Sequence, residues 1–140
     1  MKTYHGSCHC QKVKFQVKLD ITQGIRKCNC TFCYKLKYQK VFAAFDDLKI
    51  LEGAGNLSDY RGINSTWPPG AIHHFFCKTC GAQPFSKGFL EMEPFNGWFY
   101  AVNIATLDDM LPAEIISAPV IYEDGLHDKQ LETPSETRHL

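Results

Sequence analysis

The sequence predicts a mainly β fold, and three features predict it. Val13, Phe15, Val17 and Leu19 alternate with Lys14, Gln16 and Lys18, the period-two pattern of a strand with one buried face. Breaks at Gly53-Ala54-Gly55-Asn56, Pro68-Pro69-Gly70 and Asn96-Gly97 punctuate the chain between short apolar stretches. Helical candidates are few and short.

In chain order, the alternating stretch 13–19 is the first strand, followed by Phe32 to Lys37 as a short helix. Val41 to Phe45 and Leu48 to Leu51 are the next strand candidates, then Ala71 to Phe76 and Trp98 to Ile104. Thr106 to Met110 is the second helical candidate. From about Glu123 to Leu140 the chain turns polar and contains Gly125 and Pro134, which predicts an extended tail or surface wrap, with Leu126 and Leu131 as residues that could pin it down. The 140 residues fit one domain that buries about two-thirds of its unfolded surface. With 44% apolar and 21% charged residues, the composition argues against wholesale disorder. No apolar run approaches the roughly 18 residues of a spanning helix, and Met1-Lys2-Thr3-Tyr4-His5 lacks the apolar core of a signal peptide. The expectation is a soluble, cytoplasmic protein with no membrane association.

The cysteines carry the chemistry. Seven is an odd number, and they fall in clusters: Cys8-x-Cys10, Cys28-x-Cys30-x-x-Cys33 and Cys77-x-x-Cys80. In a reducing compartment such clusters more often hold metal than form disulfides. Cys77-Lys78-Thr79-Cys80-Gly81 has the form of a zinc knuckle, with a glycine that permits the tight backbone beyond the second ligand. It supplies two ligands, and Cys8 and Cys10 complete a four-thiolate site of structural type. Cys28, Cys30 and Cys33 remain, with no fourth cysteine. Three protein ligands and an open position is the arrangement of a catalytic zinc. A closed site completed by His5, His9, His73 or His74 is the alternative, although each is more often a packed or solvated histidine than a ligand.

Charge is unevenly spread. Residues 1–45 hold nine Lys/Arg and one acid, whereas 106–140 hold two basic residues and eight acids. Arg26, Lys27, Lys35, Lys37 and Lys40 flank the cysteine trio, which suits an anionic ligand, although lysines in such a stretch are more often solvated. A neutral total and the lack of a recognisable basic helix weigh against a nucleic-acid partner. Trp67, Phe75, Phe76, Phe85, Phe89, Phe95, Trp98, Phe99 and Tyr100 are candidates to line a pocket, with most expected in the core. Asp108-Asp109 reads as a helix-start or turn feature rather than an acid/base couple.

Gly6-Ser7-Cys8-His9-Cys10 ahead of an alternating strand, Cys28-Asn29-Cys30-Thr31-Phe32-Cys33, Phe76-Cys77-Lys78-Thr79-Cys80-Gly81 and Asn103-Ile104-Ala105-Thr106-Leu107-Asp108 occur in that order. Together they resemble the glutathione-dependent formaldehyde-activating enzyme family, which includes a centromere-associated branch. The resemblance runs from Gly6 to about Asp109. It implies a β-tent of antiparallel sheets and two Zn²⁺. Cys8, Cys10, Cys77 and Cys80 would hold a structural zinc, and Cys28, Cys30 and Cys33 a catalytic one. The implied activity is carbon–sulfur lyase chemistry, the joining of glutathione to formaldehyde as S-hydroxymethylglutathione. A non-catalytic glutathione carrier or binding module is the alternative, and chromatin association a more distant one. Gln11 departs from the family pattern, standing where glycine usually follows the opening Cys-x-Cys. The run Ala82-Gln83-Pro84-Phe85 is also less typical, and the late histidine and tryptophan motifs are not clear after Pro119.

Overall fold

A computed structural model describes residues 1–62, 67–68 and 70–140, so Pro69 of the Pro68-Pro69-Gly70 break lies outside the described residues. The described chain forms a mainly β structure of two sheets. Strands β1 (Lys2–Ser7), β2 (Lys14–Leu19) and β5 (Leu48–Glu52) make a small antiparallel sheet in the order β1-β2-β5. The larger sheet contains β3 (Ile25–Cys28), β4 (Gln39–Ala44), β6 (Leu57–Tyr60), β7 (Ile72–Cys77), β8 (Phe85–Leu90), β9 (Gly97–Asn103) and β10 (Val120–Glu123). Its order is β10-β3-β4-β9-β8-β7-β6. Helix α1 (Thr31–Leu36) follows β3, and α2 (Pro112–Ser117) precedes β10.

The alternation in β2 does what its period requires. Phe15, Val17 and Leu19 are buried, and Lys14, Gln16 and Lys18 face outward to varying degrees. They meet Val41 and Ala43 of β4, Phe85 of β8 and Val102 of β9, so the main core lies between the two sheets. Each large apolar side chain fully buried there contributes about 1.5–3 kcal/mol. Phe85 sits at the centre, its ring 5.3 Å from Phe15, 5.7 Å from Phe75 and 5.6 Å from Tyr100.

The five strand candidates correspond to β2, β4, β5, β7 and β9, and the first helix to α1. Strands β1, β3, β6, β8 and β10 carry no comparable signal, because only tertiary pairing makes their short, mixed sequences extended. The expected helix at Thr106–Met110 is absent. Ile104–Thr106 forms a single 3₁₀ turn, and Leu107 then bridges to Gly6 of β1. The helix lies further on, where Pro112 occupies its first turn and the Glu114 carboxylate accepts the Leu111 main-chain N–H at 2.9 Å. Asp108 and Asp109 are turn residues, as expected. The Asp109 carboxylate accepts the His5 N–H at 2.9 Å, and the Asp108 N–H donates to the His5 carbonyl at 2.8 Å.

The larger sheet is mixed at one edge, and the polar segment is held at one residue. All pairings are antiparallel except β10 with β3, which is parallel. The polar segment from about 123 is not pinned by Leu126 or Leu131, which remain 56% and 95% exposed. Its anchor is Glu123 itself, 5% exposed at the end of β10, where the buried Lys40 and the half-buried Arg26 satisfy its carboxylate.

Because Phe85 bridges the two sheets, Phe85→Ala should cost about 3–5 kcal/mol, read by equilibrium chemical denaturation. A loss below about 1 kcal/mol would place the force that holds the sheets together elsewhere.

Candidate metal centres

The first cluster joins two turns far apart in sequence. Beyond β1 the chain turns through Cys8 and Cys10 before entering β2, and Gln11 takes φ 63° to complete that turn. This is the left-handed region where glycine is at ease, so the departure at Gln11 keeps the backbone shape at a cost of about 1 kcal/mol. Cys77 ends β7 and opens the knuckle, which closes with the Gly81 N–H on the Cys77 carbonyl at 2.9 Å and Gly81 at φ 76°. The Cys10 sulfur lies 3.6 Å from Cys8 and 3.6 Å from Cys77. All four sulfurs, Cys80 included, lie within 4.8 Å of one another.

Four sulfurs about 2.3 Å from a tetrahedral ion stand roughly 3.8 Å apart, so donor type, number and spacing fit zinc. The Val13 N–H and the Asn56 side-chain amide each reach a sulfur at 3.3 Å, Cys8 and Cys77 respectively. Burial alone would raise the Cys77 thiol, but main-chain hydrogen bonds at Cys80 and Thr79 bring it down to about 6. Main-chain hydrogen bonds at Cys10 and Ala82 likewise lower Cys80.

The second cluster is local. Cys28 ends β3, Cys30 caps α1 and Cys33 lies in its first turn, which curls three sulfurs to within 4.8 Å of one another. The Cys30 N–H donates to Cys28 Sγ and the Cys33 N–H to Cys30 Sγ, both at 3.4 Å. Cys30 is drawn down chiefly by hydrogen bonds from the Cys28 and Cys33 thiols, whereas those neighbours and burial push Cys33 up. Among the described residues no histidine or carboxylate joins either cluster.

The carboxy-terminal segment is built onto the trio. Gly125 comes so close that a Cβ there would stand 2.5 Å from Cys28 Sγ. Asn29, between two ligand candidates, splices the segments together. Its amide donates to Asp124 Oδ1 at 2.7 Å, and its Oδ1 accepts the Leu126 N–H at 2.8 Å. Beside the sulfurs opens a pocket of about 250 Å³ lined by Lys27, Cys28, Cys33, Tyr34, Lys37 and the tail residues His139 and Leu140, among others. Lys37 donates to the His139 carbonyl at 2.7 Å and Lys27 to the Leu140 main-chain oxygen at 3.3 Å. Behind the trio, Lys40 Nζ lies 3.9 Å from Cys33 Sγ and 2.7 Å from Glu123 Oε2. Arg26 Nη1 holds the other carboxylate oxygen at 3.0 Å.

The structure therefore brings together the seven cysteines as 4 and 3, and it gives the four candidate histidines other surroundings. His5 pairs with Asp109 at 3.0 Å and His73 with Asp59 at 2.7 Å, while His9 is exposed. His74 bonds Ser86 Oγ at 2.7 Å and stacks on Phe32, with ring centroids 3.6 Å apart. Of the five flanking cations, Lys35 is exposed, Lys27 and Lys37 face the pocket, and Arg26 and Lys40 enter the Glu123 network. None of the nine aromatic candidates lines the trio pocket; Tyr34 and Tyr38 do. Asn29, Glu123 and Gly125 have no local signature, since each acquires its role only when the tail docks.

Two outcomes follow from this geometry. Cys80→Ser breaks a link between distant segments and should lower the zinc-loaded protein's stability by about 3 kcal/mol or more, whereas Cys33→Ser, in a locally closed loop, should cost clearly less. Equal shifts in a thermal melt would make both centres structural. Burial holds the His74 imidazole down to about 4, against an ordinary 6.5. Its contribution is therefore complete above pH about 6.5 and is lost as pH falls toward about 4, because the unfolded chain binds that proton first. An NMR titration should find this imidazole neutral at pH 5.5, and the acid limb of stability should be shallower in His74→Gln.

The model of the glutathione-dependent formaldehyde-activating enzyme family matches residues 3–123. Among solved structures, a crystal structure of a Rhodobacter sphaeroides protein is similar at 28% identity and a TM-score of 0.65, covering 84% of this chain and 99% of that one. The matched span contains all seven cysteines and closes on Glu123, the carboxylate behind the trio. The chain belongs to the glutathione-dependent formaldehyde-activating enzyme family.

Proposed function

We propose that this protein binds glutathione at a zinc held by Cys28, Cys30 and Cys33 and adds it to formaldehyde, while a second zinc on Cys8, Cys10, Cys77 and Cys80 is structural. The observation that carries the reading is the asymmetry of the two clusters. One offers four sulfurs from two distant turns; the other offers three, beside a pocket, with no histidine or carboxylate joining the cluster among the described residues. Zinc in such a position supplies a soft Lewis acid that favours the thiolate form of an incoming thiol.

The chain's own groups then have definite tasks. Lys27 and Lys37, now turned to main-chain oxygens of the tail, provide cationic contacts for the carboxylates of glutathione. Tyr34 and Tyr38 wall the pocket. In the reaction the glutathione sulfur bonds to the formaldehyde carbon and the carbonyl π bond opens. The oxygen takes up a proton, through water, equal to the one the thiol gave up, so neither oxidant nor reductant is needed. A reducing cytoplasm, rich in glutathione, suits seven unpaired thiols. No helix among the described residues is long and apolar enough to cross a membrane.

The test is a glutathione titration of cobalt-substituted protein. The sulfur-to-cobalt charge-transfer absorption should rise by one thiolate per chain, and Cys33→Ser should abolish the rise while leaving far-ultraviolet circular dichroism unchanged. A spectrum indifferent to millimolar glutathione would leave a zinc-stabilised binding module in place of the enzyme.

A further inference from the structure

We infer that Lys40 is the counter-cation of the three-cysteine centre, a positioning residue that sets the centre's charge and so how firmly it keeps a metal and an anionic sulfur ligand. The inference rests on the metal- and thiol-binding reading above and assigns a task to groups that reading leaves unused.

Lys40 leaves β4 toward the interior and is only 8% exposed. An ammonium so placed is tolerated only where anions meet it. The Glu123 carboxylate meets it at 2.7 Å, and the Cys33 sulfur, 3.9 Å away, would add a second anion once it binds a metal as thiolate. Glu123 needs only one cation for neutrality, yet it receives two, because Arg26 takes its second oxygen at 3.0 Å. The three side chains therefore carry one net positive charge, and the cation nearest the sulfurs is Lys40.

Three thiolates on a divalent ion carry one net negative charge. The buried network brings the assembly to neutrality. A fourth sulfur arriving as thiolate adds one negative charge, which Lys40 offsets from behind Cys33 while Lys27 and Lys37 line the pocket on the arriving side. Without Lys40 the remaining Arg26–Glu123 pair is neutral, and the same step would build two negative charges in a poorly solvated place. The parallel docking of β10 on β3 gains a purpose in this arrangement, since it delivers Glu123 to the end of Lys40 and aims the ammonium at Cys33.

The cobalt-loaded protein separates this role from simple packing. Lys40→Met should raise the dissociation constant for glutathione about tenfold or more while changing that for imidazole, an uncharged ligand, less than about threefold. Lys40→Arg should restore glutathione binding, and Glu123→Gln, which leaves both cations in place, should weaken it no further than wild type. Equal losses for glutathione and imidazole in Lys40→Met, or weaker glutathione binding in Glu123→Gln, would overturn the assignment and leave a structural ion pair. A second readout does not depend on thiol binding. In chelator competition the trio of Lys40→Met should hold cobalt about tenfold less tightly, again with rescue by arginine. If wild type takes no glutathione but this metal readout behaves as stated, the thiol-binding reading fails and the charge role stands. If glutathione binds and both readouts ignore Lys40→Met, the reverse holds.

Discussion

Sulfurs gathered at two points repel one another once ionised, and the supply of positive charge to those points governs the rest of the molecule. At the four-cysteine cluster the sulfurs come from ends of strands in different sheets, so whatever holds them also holds the sheets in register. At the trio the sulfurs come from one short loop, and the positive charge is brought by the surrounding chain. Lys40, Arg26 and the pocket lysines all belong to the basic first third. Local backbone N–H groups add partial positive charge at both places, at Cys8, Cys28 and Cys30.

The uneven charge of the sequence takes on a physical meaning in the fold. Three cations of the basic amino-terminal third pair with acids of the last third, which folds back onto it. Lys2 meets Glu114 at 2.9 Å, and Arg26 and Lys40 share Glu123. The first of these pairs is exposed and worth little. The second is buried, so its partners depend on each other, and removing one leaves an uncompensated charge. The closing segment is thereby tied to the trio by a constraint stronger than its few exposed apolar side chains could impose.

Family membership and geometry agree most closely where the backbone is most constrained. Gln11 takes a positive φ despite its side chain, and Gly81 takes the same region at the knuckle. At the tail the constraint is proximity instead, since Gly125 has no room for a side chain against Cys28. Of the aromatic candidates, Phe95, Trp98 and Phe99 line a separate pocket with Phe42 and Phe45, away from the sulfurs. Phe85 fills the core between the sheets, and Tyr34 and Tyr38 wall the pocket beside the loop that carries the sulfurs.

What the sequence determined by itself is what short stretches encode. Cysteine spacing placed two sets of donors, because ligands two or three residues apart must face one point, and the alternation of Val13 to Leu19 marked a half-buried strand, because side chains on a strand point to opposite faces in turn. The helix at α1 was legible for the same reason. Tertiary structure alone decided the pairing of β10 with β3, the burial of Glu123 and the meeting of Lys40 with a carboxylate 83 residues away. It also decided that the tail docks through Asn29 and Glu123 rather than Leu126 and Leu131. The physical reason is one of range. Turn, period and ligand spacing are set by neighbouring backbone, whereas an ion pair between distant residues forms only after the whole sheet has fixed where their strands lie, and no contiguous stretch of sequence records that position.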